Sequence, residues 1–230
     1  MILHALINSV LDLIFPKYCL KCSQKAEYIC NHCLNSFSTK KSLPSQIPSK
    51  CIDEFFVCDD YHHNEILKKL IFIYKFKFDK KLAKKLAFLM FRIFLSKSNS
   101  FSSKNFFIVP VPSHPKRMKF RGFNPSELLC EYFIHYLMKS PQFDQTYFEI
   151  LNCLQRSSFN YEQKLLNKQQ REEFIRNVFS FNSFYTNTIQ NQTVILIDDV
   201  AATGSTLNEC SRVLKNQGVK KIIALVVAKA

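Results

Sequence analysis

Glycine is almost missing from this chain, with three in 230 residues. Each should therefore sit where a side chain cannot be accommodated. Also missing is any run of about 20 uninterrupted apolar residues, which excludes a membrane-spanning helix. No Gly-x-x-x-x-Gly-Lys-Ser/Thr loop occurs, which argues against a nucleoside triphosphatase, and no internal repeat is visible. Acidic residues are scarce, 18 against 32 Lys and Arg, for a formal charge of +14. That excess favours an anionic partner: nucleic acid, a membrane surface or a polyphosphate. Solvated lysines of a lysine-rich proteome would give the same total, so charge alone decides nothing. Nearly half the residues are apolar, enough for one sizeable α/β core with a small accessory module.

The first 15 residues lack the basic start and small-x-small cleavage site of a signal peptide. Leu3, Leu6, Ile7, Val10, Leu11 and Ile14 recur at helical spacing. An amphipathic helix over 1–16, stopped by Pro16, and a cytoplasmic location are the expectations.

Nine cysteines could suggest disulfides, but four form two tight pairs, Cys19-Leu-Lys-Cys22 and Cys30-Asn-His-Cys33. Each knuckle offers two thiolates from one turn, and two knuckles complete a closed tetrahedral zinc site of four cysteines. Such a site has no open position, so its metal is structural. The rivals are a redox pair and an iron–sulfur centre. His32 is read as a bystander, and Cys51, Cys58, Cys130, Cys153 and Cys210 as core residues. The module and its Ser/Lys/Pro-rich linker occupy 17–50, and the main domain 51–230.

In the main domain, strand patterns at 55–58, 106–111, 193–198 and 221–227 are separated by helical ones. Val194–Ile197 and Ile222–Val227 are nearly continuous apolar runs, as expected of parallel strands buried on both faces. The predicted fold is α/β with a Rossmann-like parallel sheet. Gly218 reads as the left-handed residue ending the last helix, whereas Gly122 and Gly204 sit where chemistry would be.

In Ile197-Asp-Asp-Val-Ala-Ala-Thr-Gly-Ser-Thr206, Asp198 and Asp199 leave the carboxyl end of a buried strand, where open α/β sheets bind ligands. Val200, Ala201, Ala202, Thr203, Gly204, Ser205 and Thr206 then lead into a helix N-terminus. Its outward N–H groups and dipole, with three hydroxyls, make a phosphate cradle. Asp198 and Asp199 would accept hydrogen bonds from a ribose diol. The plainer alternative is two solvated aspartates that cap the following helix. The string resembles the phosphoribosyl pyrophosphate-binding motif of type I phosphoribosyltransferases.

A second segment, Val109-Pro-Val-Pro-Ser-His-Pro-Lys-Arg-Met-Lys-Phe-Arg-Gly-Phe-Asn124, starts at a strand end and finishes at a helix cap. Asn124 with Glu127 forms a capping box and Pro125 suits the first helical position. Ser113, Lys116, Arg117 and Arg121 lie on a proline-stiffened basic loop able to neutralise a pyrophosphate; an exposed basic loop is the alternative. His114 is a candidate acid/base group, though a lone histidine is more often incidental.

Val-Pro-Val-Pro, His-Pro-x-Arg and Arg-Gly-Phe-Asn, with the later Asp-Asp-Val and Thr-Gly, resemble the ComF family of competence-associated, phosphoribosyltransferase-like proteins. Arg156, Gln163, Leu166, Arg171 and Phe179 fit the family pattern; Asn160 and Phe174 depart from it, standing where Thr and Asn are usual. The resemblance implies a type I phosphoribosyltransferase-like fold with an N-terminal zinc module and a pocket for phosphoribosyl pyrophosphate with Mg²⁺. It also implies a role in DNA uptake during natural transformation. Lysines interleaved with aromatics over Lys68–Lys85 could stack single-stranded DNA, or could be a core face with solvated lysines. The alternatives carried forward are a non-enzymatic single-stranded DNA-binding protein with a sensory or vestigial pocket, and a nucleobase-salvage transferase. The acceptor substrate is not legible.

Overall fold

The computed structural model describes residues 17–37, 49–76, 79–98, 101, 103–157 and 178–230. The expected helix over 1–16, most of the linker, and Asn160, Gln163, Leu166, Arg171 and Phe174 lie outside them.

Five strands form one wholly parallel sheet: β1 (Glu54–Asp60), β2 (Asn105–Pro110), β3 (Tyr147–Ile150), β6 (Thr193–Ala201) and β7 (Lys221–Lys229), in the order β1-β7-β6-β2-β3. β4 (Leu154–Arg156) and β5 (Phe179–Phe181) pair antiparallel beside it. The helices are α1 (Asn31–Asn35), α2 (Glu65–Phe76), α3 (Lys81–Lys97), α4 (Pro115–Arg121), α5 (Pro125–Met138), α6 (Thr186–Ile189) and α7 (Ser205–Lys215).

Period-two alternation assigns each strand residue to one of two layers. Ile195, Ile197, Ile223 and Leu225 pack with Leu86, Met90 and Phe94 of α3 and Phe133 of α5. Val194, Leu196, Ile222 and Ala224 pack with Leu207, Cys210 and Leu214 of α7. β6 and β7 are thus covered on both faces, and Val194–Ile197 and Ile222–Ala228 are fully buried. At about 25 cal/mol per Å² of apolar surface, this two-sided burial is the main stabilising term.

The connections place a crevice. β2 and β6 are neighbours, but the chain leaves β2 for β3 on one side and leaves β6 for β7 on the other. The carboxyl ends of two such strands diverge, which opens a ligand-sized gap between their loops. Pro110 pairs with Ile197, so that gap starts at Val111 and Asp198.

Three sequence expectations change. The strand expected to end at Asp198 runs on to Ala201, because β7 continues to Lys229 and keeps Val200 and Ala201 paired. The basic loop is a helix, α4: His114 caps it, Pro115 fills its first position, and Gly122 ends it at φ +72°. A Cβ on Gly122 would meet nothing within 4 Å, so backbone conformation, rather than crowding, demands this glycine. Asn124 caps α5 by accepting from the Ser126 N–H at 3.3 Å, while Glu127 accepts from Asn152 at 3.1 Å. The capping box is therefore half built. β3 and the antiparallel pair β4 and β5 have no counterpart among the expected strands; each of these three strands has at most four residues.

Candidate functional sites: a cysteine cluster and a charged pocket at the sheet edge

The two knuckles fold onto each other. Cys19, Cys22, Cys30 and Cys33 bring their sulfurs within 4.8 Å of one another, and Cys22 and Cys30 are 3.7 Å apart. A tetrahedron of thiolates at Zn–S of about 2.3 Å has edges of about 3.8 Å, so the donor set fits zinc. Burial opposes ionisation of Cys19, yet backbone N–H groups of Cys30, Cys22 and Lys21 pull its thiol down to about 6. Burial, followed by the neighbouring sulfurs, pushes Cys33 up to about 12. His32 is not in the cluster, as expected. α3 holds the module: Lys85 donates to the carbonyls of Glu27 and Ile29, and Lys81 pairs with Glu27 at 2.7 Å. Cys19, Ile29, Cys33 and Leu34 share one apolar cluster with α2 and α3.

At the switch point between β2 and β6 lies a cavity of about 150 Å³. Asp198, Asp199, Val200 and Thr206 line it from β6 and α7, Ser113, Arg117 and Arg121 from the β2 loop and α4. All seven are site residues that the sequence predicts. Ser113 is oriented by donating to Asn124 at 2.9 Å, and Asn124 donates in turn to the Val111 carbonyl. A larger hollow of about 610 Å³ lies between the cysteine module and α3, but it carries no paired carboxylates, and the chemistry points to the smaller one.

The two aspartates have different surroundings. Asp199 is 6 % exposed and forms a 2.7 Å ion pair with Lys75 of α2. Asp198 accepts from the Ser126 hydroxyl at 3.0 Å and from the Asp199 N–H at 2.8 Å. Burial, then the Asp199 charge, raises Asp198 to about 7, against the pull of Lys75. One acid of the pair therefore titrates near neutrality.

The remaining expected residues are placed differently. Ala201 is buried and its carbonyl accepts from the Ala230 N–H at 2.9 Å. Ala202, Thr203 and Gly204 form the turn; Gly204 stands at φ +78° as the residue before α7. The Thr203 and Ser205 hydroxyls bond each other at 2.7 Å in an exposed position, and the Thr203 hydroxyl also accepts from the Ser205 N–H at 3.3 Å. Lys116 is exposed and off the cavity wall.

Lys75, Ser126 and Arg156 line the cavity as well, beyond the site residues that the sequence predicts. Lys75 falls in the Lys68–Lys85 stretch of lysines and aromatics and Ser126 two residues after the Arg-Gly-Phe-Asn motif, and only the fold brings them to the cavity. Arg156 belongs to the family pattern; its guanidinium lies 5.2 Å from the centre of the Phe179 ring. Burial and then the Arg117 charge lower its pKa. His114 also reaches the wall, but its Nδ1 accepts from the Lys116 N–H at 3.2 Å, so its visible work is capping α4. Burial, then Arg156, Arg117 and Lys116, lowers its pKa. No described helix is long and apolar enough to cross a membrane.

Known proteins resemble this chain in sequence. The phosphoribosyl transferase domain family matches residues 162–230, which include β6, α7 and β7. Competence protein F of Haemophilus influenzae is 29% identical over 94% of this chain and 86% of its own length. Competence protein ComFC of Bacillus subtilis is 28% identical over 69% of this chain and 57% of its own. DNA utilization protein YhgH of Escherichia coli is 29% identical over half of this chain and 45% of its own length. With its parallel sheet, phosphoribosyltransferase-type domain and four-cysteine cluster, the chain is similar to the ComF proteins over nearly its whole length, which supports the ComF family.

Proposed function

We propose that the sheet-edge cavity binds phosphoribosyl pyrophosphate, or a related ribose phosphate, and that the protein serves DNA uptake in natural transformation. The observation that carries the ligand is a convergence: two carboxylates, a helix N-terminus and four cations (Lys75, Arg117, Arg121 and Arg156) meet at one switch point. The acids suit a ribose diol. The Thr203–Thr206 turn and the α7 N-terminus suit its 5′-phosphate, with Val200 to Gly204 shaping the approach. The guanidinium groups suit a pyrophosphate, by bidentate contact. Mg²⁺ would arrive on the pyrophosphate and add to this charge neutralisation; Asp198 and Asp199 are the carboxylates at hand. If transfer follows, stabilisation of the leaving group is the main catalytic lever, and no covalent nucleophile is required. The DNA role rests on the names of the competence and DNA-utilization relatives.

Calorimetry with phosphoribosyl pyrophosphate and Mg²⁺ tests the pocket. Wild type should bind, and the Asp198→Asn/Asp199→Asn double variant should lose about 100-fold in affinity. Equal binding by both proteins would end the assignment.

The net charge of +14 favours a second reading, a basic surface for single-stranded DNA. In α2 the expected aromatic-and-lysine face is split: Leu70, Ile71, Ile73 and Tyr74 are buried, while Phe72 and Phe76 are half exposed. Affinity for an oligonucleotide should fall steeply with salt if phosphates are held electrostatically; a flat salt series would remove this reading.

A further inference from the structure

Beside the charged cavity lies a second hollow, of about 390 Å³, walled by Tyr61, Phe72, Phe76 and Phe120. The two share Lys75, Arg117, Arg121 and Val200. They are adjoining chambers, so one ligand, or two in contact, can occupy both. The polar chamber holds the charge and the outer one holds rings.

The outer chamber has a definite chemistry. Phe72 and Phe76, one turn apart on α2, are 52 % and 54 % exposed with ring centres 5.1 Å apart. Arg121 lies 5.4 Å from the centre of the Phe76 ring, a planar cation on a planar ring. Paired phenylalanines left in water at the mouth of a polar cavity offer a stacking platform for a flat aromatic group. The charged side chains lining this chamber are Lys75, Arg117 and Arg121, all cations; among the described residues no Asp, Glu, Asn or Gln side chain joins them. A ring rich in exocyclic amines would find the Tyr61 hydroxyl as the one side-chain acceptor among the described lining residues, and its other donors would lose hydrogen bonds to water. A ring with an anionic edge would meet only donors.

We propose that this chamber binds a heteroaromatic carboxylate, its ring on Phe72 and Phe76 and its carboxylate toward Arg121 and Lys75. The inference rests on the sugar-phosphate reading of the neighbouring cavity when it makes this ligand the acceptor; as a binding site it stands on its own lining.

The test uses the full zinc-loaded chain and two isosteres, pyridine-3-carboxylate and uncharged pyridine-3-carboxamide, titrated with and without phosphoribosyl pyrophosphate and Mg²⁺. The carboxylate should bind about tenfold more tightly than the amide, as expected of a charge-assisted hydrogen bond. Phe76→Ala should weaken the carboxylate about fivefold and leave phosphoribosyl pyrophosphate binding within about twofold, because Phe76 does not line the charged cavity. Phe72→Leu, which keeps an apolar group but removes the ring, is the second variant should Phe76→Ala lower the melting temperature. Equal or tighter binding of the amide, or no effect of either variant, overturns the proposal. No carboxylate binding beside normal phosphoribosyl pyrophosphate binding also overturns it, and spares the reading of the charged cavity. Carboxylate binding with no phosphoribosyl pyrophosphate binding does the reverse.

Discussion

The cysteine cluster and the sheet-edge cavity are electrostatic opposites. In the first, four potential thiolates lie within 4.8 Å of one another, a concentration of negative charge that suits a cation. In the second, Lys75, Arg117, Arg121 and Arg156 surround two aspartates and leave an excess of positive charge for an anion to neutralise. The cluster's parts come from 15 consecutive residues, 19–33, and the cavity's from positions 75–206. A local site needs its ion in order to fold, because its short loops bury too little apolar surface alone. A site built from distant strands is shaped by the sheet whether or not ligand is present.

The sharpest way to break this contrast is to deny the cysteine cluster any metal. Chelation, or Cys30→Ser, should destabilise the protein by several kcal/mol, since structural zinc contributes folding energy outright. Elemental analysis of purified protein should give about one zinc per chain. Because Cys19, Ile29, Cys33 and Leu34 share an apolar cluster with α2 and α3, the loss should appear in the main thermal transition rather than as a separate early step. A chelated protein with an unchanged melting curve would show the module to be dispensable. Next in size is the cavity. Asp199→Asn alone should cost about 2 kcal/mol or more in stability as well as weakening ligand, because Lys75 would be left in a half-buried place without its carboxylate. Pairing it with Lys75→Met should recover part of the stability but not the binding, which separates the ion pair's structural share from its share in recognition.

Legibility in the sequence follows the same division. The knuckles can be read from spacing because a metal site of consecutive turns is written in consecutive residues. The aspartates and the β6 core are legible because both-face burial leaves an uninterrupted apolar run that ends at the acids. Lys75 is not: it belongs to an amphipathic helix 124 residues upstream of Asp199, and nothing local distinguishes it from Lys68 or Lys69. The α4 segment reads as a loop because three prolines and four cations suggest irregular chain. Pro115 at the first helical position instead starts a helix, and Gly122 closes it. β3 and β4 escape the reading because strands of four and three residues are too short to show a period.

pH sets stability and ligand affinity of the cavity against each other. Asp198 is raised to about 7 from an unfolded value near 4. The folded state therefore binds a proton more tightly than the unfolded chain. This contribution to stability is fully present below about pH 4 and is lost as pH rises through about 7. Ligand-free protein should lose about 2 kcal/mol or more across that window, and Asp198→Asn should flatten the loss. Ribose hydroxyls need the ionised carboxylate as acceptor, so phosphoribosyl pyrophosphate affinity should rise over the same range. Stability and affinity moving together with pH would mean that Asp198 does not face the ligand.

The smallest expected effect tests the turn that separates the acids from α7. Gly204 stands at φ +78°, where an L side chain costs about 1–2 kcal/mol. Gly204→Ala should lower stability by that amount with the zinc content untouched. Binding depends on what the turn does. If the N–H groups of Thr203 to Thr206 hold a phosphate, a turn forced off its left-handed geometry should weaken phosphoribosyl pyrophosphate by more than the stability loss alone, since donors displaced by a fraction of an ångström lose most of a charge-assisted hydrogen bond. Thr203→Val supplies the control. Its hydroxyl is exposed and bonds Ser205, so the substitution should leave affinity within about threefold if the backbone is the phosphate ligand, and lower it further only if the hydroxyl itself binds. The pair of variants distinguishes a cradle made of main chain from one made of side chains.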